Sequence, residues 1–304
     1  MRKNNNLTKF ITYLLVLFIT TVFSQTKGIV IDNTTNRGIP YINIWIENEN
    51  IGATSNEKGE FILKANETSK IVIFSGIGYE TKRLEIKDLT EKVLLKPIVT
   101  ELEEVEVYTK KGTKELSIDK FKKRKLNSSF ATNGTPWMVA KYFPYKKEYE
   151  DIPFFKTFKV LTGSRIKNTK FNIRLYTKSE DGKPDEYLYD KNIFATAKKG
   201  RKYTEIDVSK LNIQFPKGGF FIVMEWLIIE SNKYEYTYTM KGSKKKYKGV
   251  SYEPTFGTIP VDNPDNSWIF RKGKWEKVWK NHNKKLKFYK GKYNQIAIEL
   301  ILSN

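Results

Sequence analysis

The sequence holds few side chains able to act as nucleophile, base or metal ligand. It has no cysteine and one histidine, His282. Zinc sites of the usual His/Cys spacing and a cysteine nucleophile are therefore excluded. A Ser-His-Asp triad would have to use His282. That residue lies in the charged stretch Trp279-Lys280-Asn281-His282-Asn283-Lys284-Lys285, and no Gly-x-Ser-x-Gly elbow is present to pair with it. His282 is expected to be an exposed loop residue. Paired carboxylates could still cleave glycosidic bonds. Glu225, inside the apolar run Phe220–Ile229, is the best candidate for a buried acid; the plainer expectation is that a Lys or Arg neutralises it. Asp262-Asn263-Pro264-Asp265-Asn266 offers oxygen ligands for Ca²⁺ but lacks the spacing of a known loop, so a turn is the simpler reading. No catalytic residue, metal ligand or cofactor is assigned.

The most suggestive constellation is aromatic. Five of the six tryptophans follow residue 130: Trp137, Trp226, Trp268, Trp275 and Trp279. Trp275 and Trp279 are four apart and would share a face of one strand, with Arg271 and Lys274 at the adjoining turn. Aromatic rings beside basic groups stack on sugar rings and hold hydroxyl or acidic substituents. Trp268, Arg271, Lys274, Trp275 and Trp279 are thus the candidate binding residues. The competing reading places these rings in the core, where tryptophan usually goes.

Charge is uneven. The chain carries +21, yet residues 26–99 balance ten basic against ten acidic side chains, while residues 151–304 hold 31 basic and 16 acidic ones. Two dense runs stand out: Lys120 with Lys122-Lys123-Arg124-Lys125, and Lys241 with Lys244-Lys245-Lys246 and Lys248. Such runs are solvated faces or contacts for an anionic surface, each cation adding on the order of 1 kcal/mol there. A nucleic-acid role is not expected, because the chain begins as an exported protein and has no binding motif.

That beginning is Met1–Ser24, with Arg2, Lys3 and Lys9, an apolar run from Phe10 to Phe23 and a small residue at its end. It reads as a signal peptide, shorter than a membrane span requires. No later run is apolar enough to span a bilayer, so no transmembrane segment is expected in the mature chain. Without cysteine there can be no lipidated cysteine either. The periplasm, the outer membrane or the cell surface is the expected location.

The elements that must position these residues are strands. In Tyr41–Glu47, Ile42, Ile44 and Ile46 fall on one face and Tyr41, Asn43, Trp45 and Glu47 on the other, a period of two. The turn Asn56-Glu57-Lys58-Gly59 ends in a glycine that can take positive φ. The ordered motifs Gly28-x-Val30-x-Asp32, Gly38-Ile39-Pro40, Gly52-Ala53-Thr54-Ser55, Gly59-Glu60-Phe61 and Gly76-Ile77-Gly78-Tyr79 resemble the carboxypeptidase-regulatory-like domain over about residues 26–95. The resemblance implies a seven-stranded transthyretin-like sandwich that is accessory and brings no catalytic residues. Modules of this kind are appended to carboxypeptidases or precede the plug of TonB-dependent receptors. Thr100–Val107 also looks like the joint to such a plug, but the remaining length is far too short for a large barrel.

Beyond it, Leu116, Ile118 and Phe121 could seat a turn or two of helix before the first basic run. Phe171–Tyr176, Tyr203–Val208, the doubly apolar Phe220–Ile229, Tyr234/Tyr236/Tyr238 on one face, a hairpin about Lys272-Gly273, and Gln295–Leu302 all read as strands. The expected class is all-β, a transthyretin-like sandwich followed by a second, jelly-roll-like one. The expected domains are a signal peptide (1–24), the regulatory-like sandwich (26–99), a junction with a basic run (100–150) and a basic, aromatic-rich sandwich (151–304). The expected function is a non-catalytic envelope binding or structural protein that contacts a glycan or anionic envelope polymer through its C-terminal domain. The alternatives are a protein-interaction adaptor, docking a partner through a strand edge of the first module, and a hydrolase with an unrecognised carboxylate site.

Overall fold

Alternation of apolar and polar residues builds both halves of the molecule. The structure, a computed structural model, describes residues 25–65, 70–98 and 113–304, all of them strands, loops and short 3-10 turns. Residues 1–24, expected to be a signal peptide, and Thr100–Val107, expected to resemble a plug joint, lie outside the described residues.

The first module has seven strands: β1 (Gln25–Asp32), β2 (Asn43–Ile46), β3 (Gly52–Thr54), β4 (Glu60–Lys64), β5 (Ile71–Ser75), β6 (Lys82–Glu85) and β7 (Lys92–Leu95). They form two sheets, ordered β4-β1-β7 and β3-β2-β5-β6. Val30, Ile44, Leu63, Val72, Phe74 and Leu95 are fully buried between them. Gly59, at φ +85°, closes the turn into β4, where Asn56 Oδ1 accepts from the backbone N–H groups of Lys58 and Glu60. The motif residues Asp32 and Tyr79 bond to each other. Asp32 accepts from the backbone N–H groups of Thr34 and Thr35 and, at 2.8 Å, from the Tyr79 hydroxyl.

The second sandwich begins with β8 (Glu115–Ile118), β9 (Ser129–Thr132), β10 (Met138–Phe143), β11 (Phe154–Ser164), β12 (Thr169–Lys178), β13 (Pro184–Tyr187) and β14 (Ile193–Ala197). It continues with β15 (Gly200–Asp207), β16 (Phe220–Trp226), β17 (Lys233–Thr239), β18 (Lys246–Val261), β19 (Ser267–Arg271), β20 (Lys274–Lys277), β21 (Tyr293–Ile296) and β22 (Ile298–Ser303). One sheet runs β13-β12-β16-β10-β19-β20 with β14 beside β12; the other runs β17-β18-β11-β22-β8 with β9, β15 and β21 attached. The chain crosses between the two sheets repeatedly. Phe155, Phe158, Phe171, Phe220, Trp226 and Leu300 fill the space between the sheets.

Two expectations fail here. Leu116 and Ile118 lie on the strand β8, not on a helix, because alternation sends both into the core while β22 supplies the backbone partners. The stretch expected to be a junction supplies β8, β9 and β10, and β10 is bonded between β16 and β19. The second sandwich therefore starts well before residue 151.

Candidate functional site

The predicted binding residues lie on and just after the β19–β20 hairpin. Lys272 and Gly273 turn it at φ +51° and +79°, the paired positive φ values of a tight two-residue turn. Arg271 opposes Lys274, Phe270 opposes Trp275, and Trp268 opposes Lys277. Alternation therefore puts Trp268, Phe270 and Trp275 on the outer face of their sheet, packed with Tyr176 and Phe221. Ile269, between them, enters the inter-sheet core. Trp268 is only 8% exposed, with the Lys277 ammonium 4.0 Å from its ring centroid. Trp275 is half-buried against Phe270 and Tyr176.

Trp279 does not share a face with Trp275. The strand ends at Lys277, and Trp279 turns toward the other side. There the Arg271 guanidinium lies 4.8 Å from its ring centroid and Trp137 meets it edge-on. Arg271 also bonds Glu276 at 2.8 Å, and that contact holds the Glu276 carboxyl below its usual range. Of the five predicted residues, Lys274, Trp279 and, in part, Arg271 face solvent. Trp268 and Trp275 serve packing.

What they pack toward is the first module. In β2 the even residues Ile44 and Ile46 enter the module's own core, and the odd ones reach the second sandwich. Trp45 meets Phe270 edge-on at 6.0 Å, and Asn43 donates its amide to Glu225 Oε1. Edge strand β3 is capped as well: the Ile228 N–H donates to Thr54 Oγ1 at 2.9 Å. Tyr41 packs on Phe194, and Lys170 pairs with Glu57 at the rim. The β2 face and the β3 edge of this module are thus covered by the second sandwich.

Glu225 is fully buried, and its environment is that of a neutralised structural charge. Arg174 Nε and Nη2 grip the two carboxylate oxygens at 2.7 and 2.8 Å, and Asn172 adds a bond at 2.8 Å. Burial opposes the Arg174 charge, but Glu225 beside it holds the guanidinium protonated. Arg174 also donates to the Tyr187 hydroxyl. A second buried ion is Lys141, which donates to the Ile298 carbonyl at 2.9 Å and pairs with Asp119 at 2.9 Å. Its pKa is lowered by burial. Asp262–Asn266 is a turn in which the Asp265 backbone carbonyl accepts from Lys277 and Asp262 pairs with Lys292. No three His, Asp or Glu side chains converge as metal ligands among the described residues. His282 is exposed in its loop.

The more open aromatic surface lies elsewhere. Lys246–Ser251 of β18 have β17 as their only strand partner among the described residues, so the β17–β18 hairpin projects from the sheet as a two-stranded arm. Along it Tyr234, Tyr236, Tyr238 and Tyr247 form a row, with successive centroids 6.0, 6.1 and 5.6 Å apart. Tyr236 lies across Gly249, where a Cβ would come within 2.6 Å of its ring. Arg165 sits over Tyr234 and Tyr236, anchored by the buried Glu253 at 3.1 Å. At the tip Lys241, Lys244, Lys245 and Lys246 have no carboxylate partner among the described residues. The base of the arm borders an interdomain cleft of about 730 Å³, lined in part by Lys64, Thr135, Lys233 and Tyr252. The sequence signal for this arm was the Tyr-x-Tyr-x-Tyr alternation next to a lysine run, two features that only the hairpin joins into one surface.

Residues 26–107 match the family model of the CarboxypepD_reg-like domain. The regulatory-like domain is therefore the module whose β2 face and β3 edge close on the second sandwich. No curated protein matches the chain. Among solved structures, it is similar to the cysteine protease and lectin-like domains of Cwp84, a surface layer associated protein of Clostridium difficile. That match has a TM-score of 0.34 and 12% identity, and it covers 83% of this chain and 40% of the other. Infectious bursal disease virus Gx strain gives a TM-score of 0.23 at 8% identity, covering 92% of this chain and 63% of that one. Among the described residues no helix is long and apolar enough to cross a membrane.

Proposed function

We propose that this is an exported, non-catalytic protein of the cell envelope that binds an anionic glycan or envelope polymer through its second sandwich. The observation that carries the reading is the tyrosine row on the lysine-tipped β17–β18 arm. Tyr238, the exposed ring of the row, offers an apolar face to a sugar ring beside the part that Arg165 covers, and unpaired ammonium groups at the tip attract carboxylate or phosphate substituents. Arg271, Lys274 and Trp279 form a second basic-aromatic margin, with Trp268 and Trp275 as its packed support. The regulatory-like domain acts as an accessory element that packs on the sheet carrying the β19–β20 hairpin. Export rests on the N-terminal signal sequence, and the lack of catalysis on the neutralised Glu225.

The test is titration of the full chain with polygalacturonate and with neutral dextran, at low and high salt. The reading expects polygalacturonate to bind and salt to weaken it. Tyr238→Ala combined with Lys244→Glu, Lys245→Glu and Lys246→Glu should weaken binding about tenfold or more, from roughly 1 kcal/mol per cation. Tyr238 is 44% exposed, so its truncation leaves the core intact. Equal affinity for dextran, or binding unchanged in the arm variant, would overturn the reading.

A further inference from the structure

The first basic run is not a loose solvated loop. After β8 the chain crosses the outer face of the eight-stranded sheet as a strap over residues 119–128. Phe121 and Leu126 of the strap pack on Leu161, Ala297 and Ile259. The strap is pinned from outside: the Lys123 N–H donates to the Tyr203 hydroxyl at 2.9 Å, and Arg201 donates to the Lys123 carbonyl at 3.2 Å. Lys123 and Lys159 lie over the Tyr203 ring, 5.4 and 4.8 Å from its centroid.

The strap does not cover the face completely. A shallow trough of about 700 Å³ remains beside it, lined by Phe121, Leu126, Ile259, Pro260 and Phe288. Phe288, 53% exposed, extends this apolar surface toward solvent. Lys120 and Lys122 stand at the mouth, exposed and without a carboxylate partner among the described residues. The one acid lining the trough, Glu299, is already engaged by Lys159 at 3.4 Å and by the Ser117 hydroxyl. An apolar trough with free cations at its lip and its own acid neutralised is complementary to an amphiphile with an anionic head.

We propose that this trough holds the acyl chain of an anionic lipid, with the headgroup on Lys120 and Lys122. The site lies on the sheet opposite the one that carries the β19–β20 hairpin, and it uses no residue of the tyrosine arm. It therefore stands or falls independently of glycan binding.

The full chain is titrated calorimetrically with butyl, hexyl and octyl phosphate, kept monomeric, and with inorganic phosphate. Burial of the chain predicts that affinity rises roughly fourfold per added methylene while the trough fills. Lys120→Glu with Lys122→Glu should weaken octyl phosphate about tenfold or more while leaving the fold intact, since both side chains are exposed. Ile259→Trp, which fills the trough, should abolish the chain-length dependence. If Ile259→Trp fails to fold, the lysine variant and the chain-length series still decide the matter. Affinity for octyl phosphate equal to that for inorganic phosphate overturns the proposal, because charge alone would then explain binding. Octyl phosphate binding unchanged by the lysine reversal overturns it too, as does no measurable binding.

Discussion

Asn43 of the regulatory-like domain donates its side-chain amide to Glu225 of the second sandwich, on a carboxylate that Arg174 already grips through two nitrogens. The only acid the sequence marks as a possible buried catalyst is thus one of the points where the two domains meet. Arg174 and Glu225 lie on adjacent strands, and the first module closes the site from above.

Removing one partner of that pair strands the other in a buried site. Glu225→Ala is expected to destabilise the chain by about 3–5 kcal/mol, the range for an uncompensated buried charge. Asn43→Ala should cost less, on the order of 1 kcal/mol for one hydrogen bond. Denaturant unfolding of the two variants measures both. A Glu225→Ala chain as stable as the parent would show that the buried pair does not carry this stability.

Gly273 is constrained by its backbone. Its φ is +79°, whereas a Cβ there would make only ordinary contact with Trp45 Nε1 of the other domain at 3.5 Å. Gly273→Ala should cost about 1 kcal/mol or more from the backbone conformation alone. The loss would appear as a lower melting temperature of the full chain.

Asp32 and Tyr79 give the fold a pH signature at each extreme. The Asp32 carboxyl is held below its ordinary value of 3.8 by the Thr35 backbone N–H, then by the Tyr79 hydroxyl and the Thr34 N–H. A carboxyl depressed in the folded state adds stability at pH values above its unfolded pKa, and that contribution is lost as pH falls through the folded one. Tyr79 is pushed up to about 12, by burial first and then by its bond to Asp32. Its contribution is complete below the unfolded pKa near 10 and is lost as pH rises toward 12. Tyr79→Phe should flatten the loss of stability between those alkaline limits, and Asp32→Asn the loss below about pH 4. Unfolding curves across pH check both; parent-like profiles in both variants would contradict the assignment.

Period-two patterns were legible in the sequence wherever one face meets a core made by the same module. Ile42, Ile44 and Ile46 read correctly for that reason. The opposite face of the same strand did not, because Asn43 and Trp45 look like ordinary surface residues until a domain almost two hundred residues away covers them. The same blindness applies to Leu116 and Ile118: the spacing of two short apolar residues cannot separate a helical turn from an edge strand until β22 is placed beside them. Trp275 and Trp279 looked co-facial because four residues is an even spacing, but the strand ends between them. The tyrosines and lysines of the arm were each visible. Their union depends on the pairing of β17 with β18, which fixes which rings stand under which cations.

The central claim, that the projecting arm is the ligand-contacting surface, is tested most directly by hydrogen exchange of the full chain with and without polygalacturonate. The account predicts that backbone amides of residues 233–251 slow on addition of the polymer, and that the effect fades in high salt. Slowing confined to other parts of the chain, with the arm exchanging at its free rate, would contradict it.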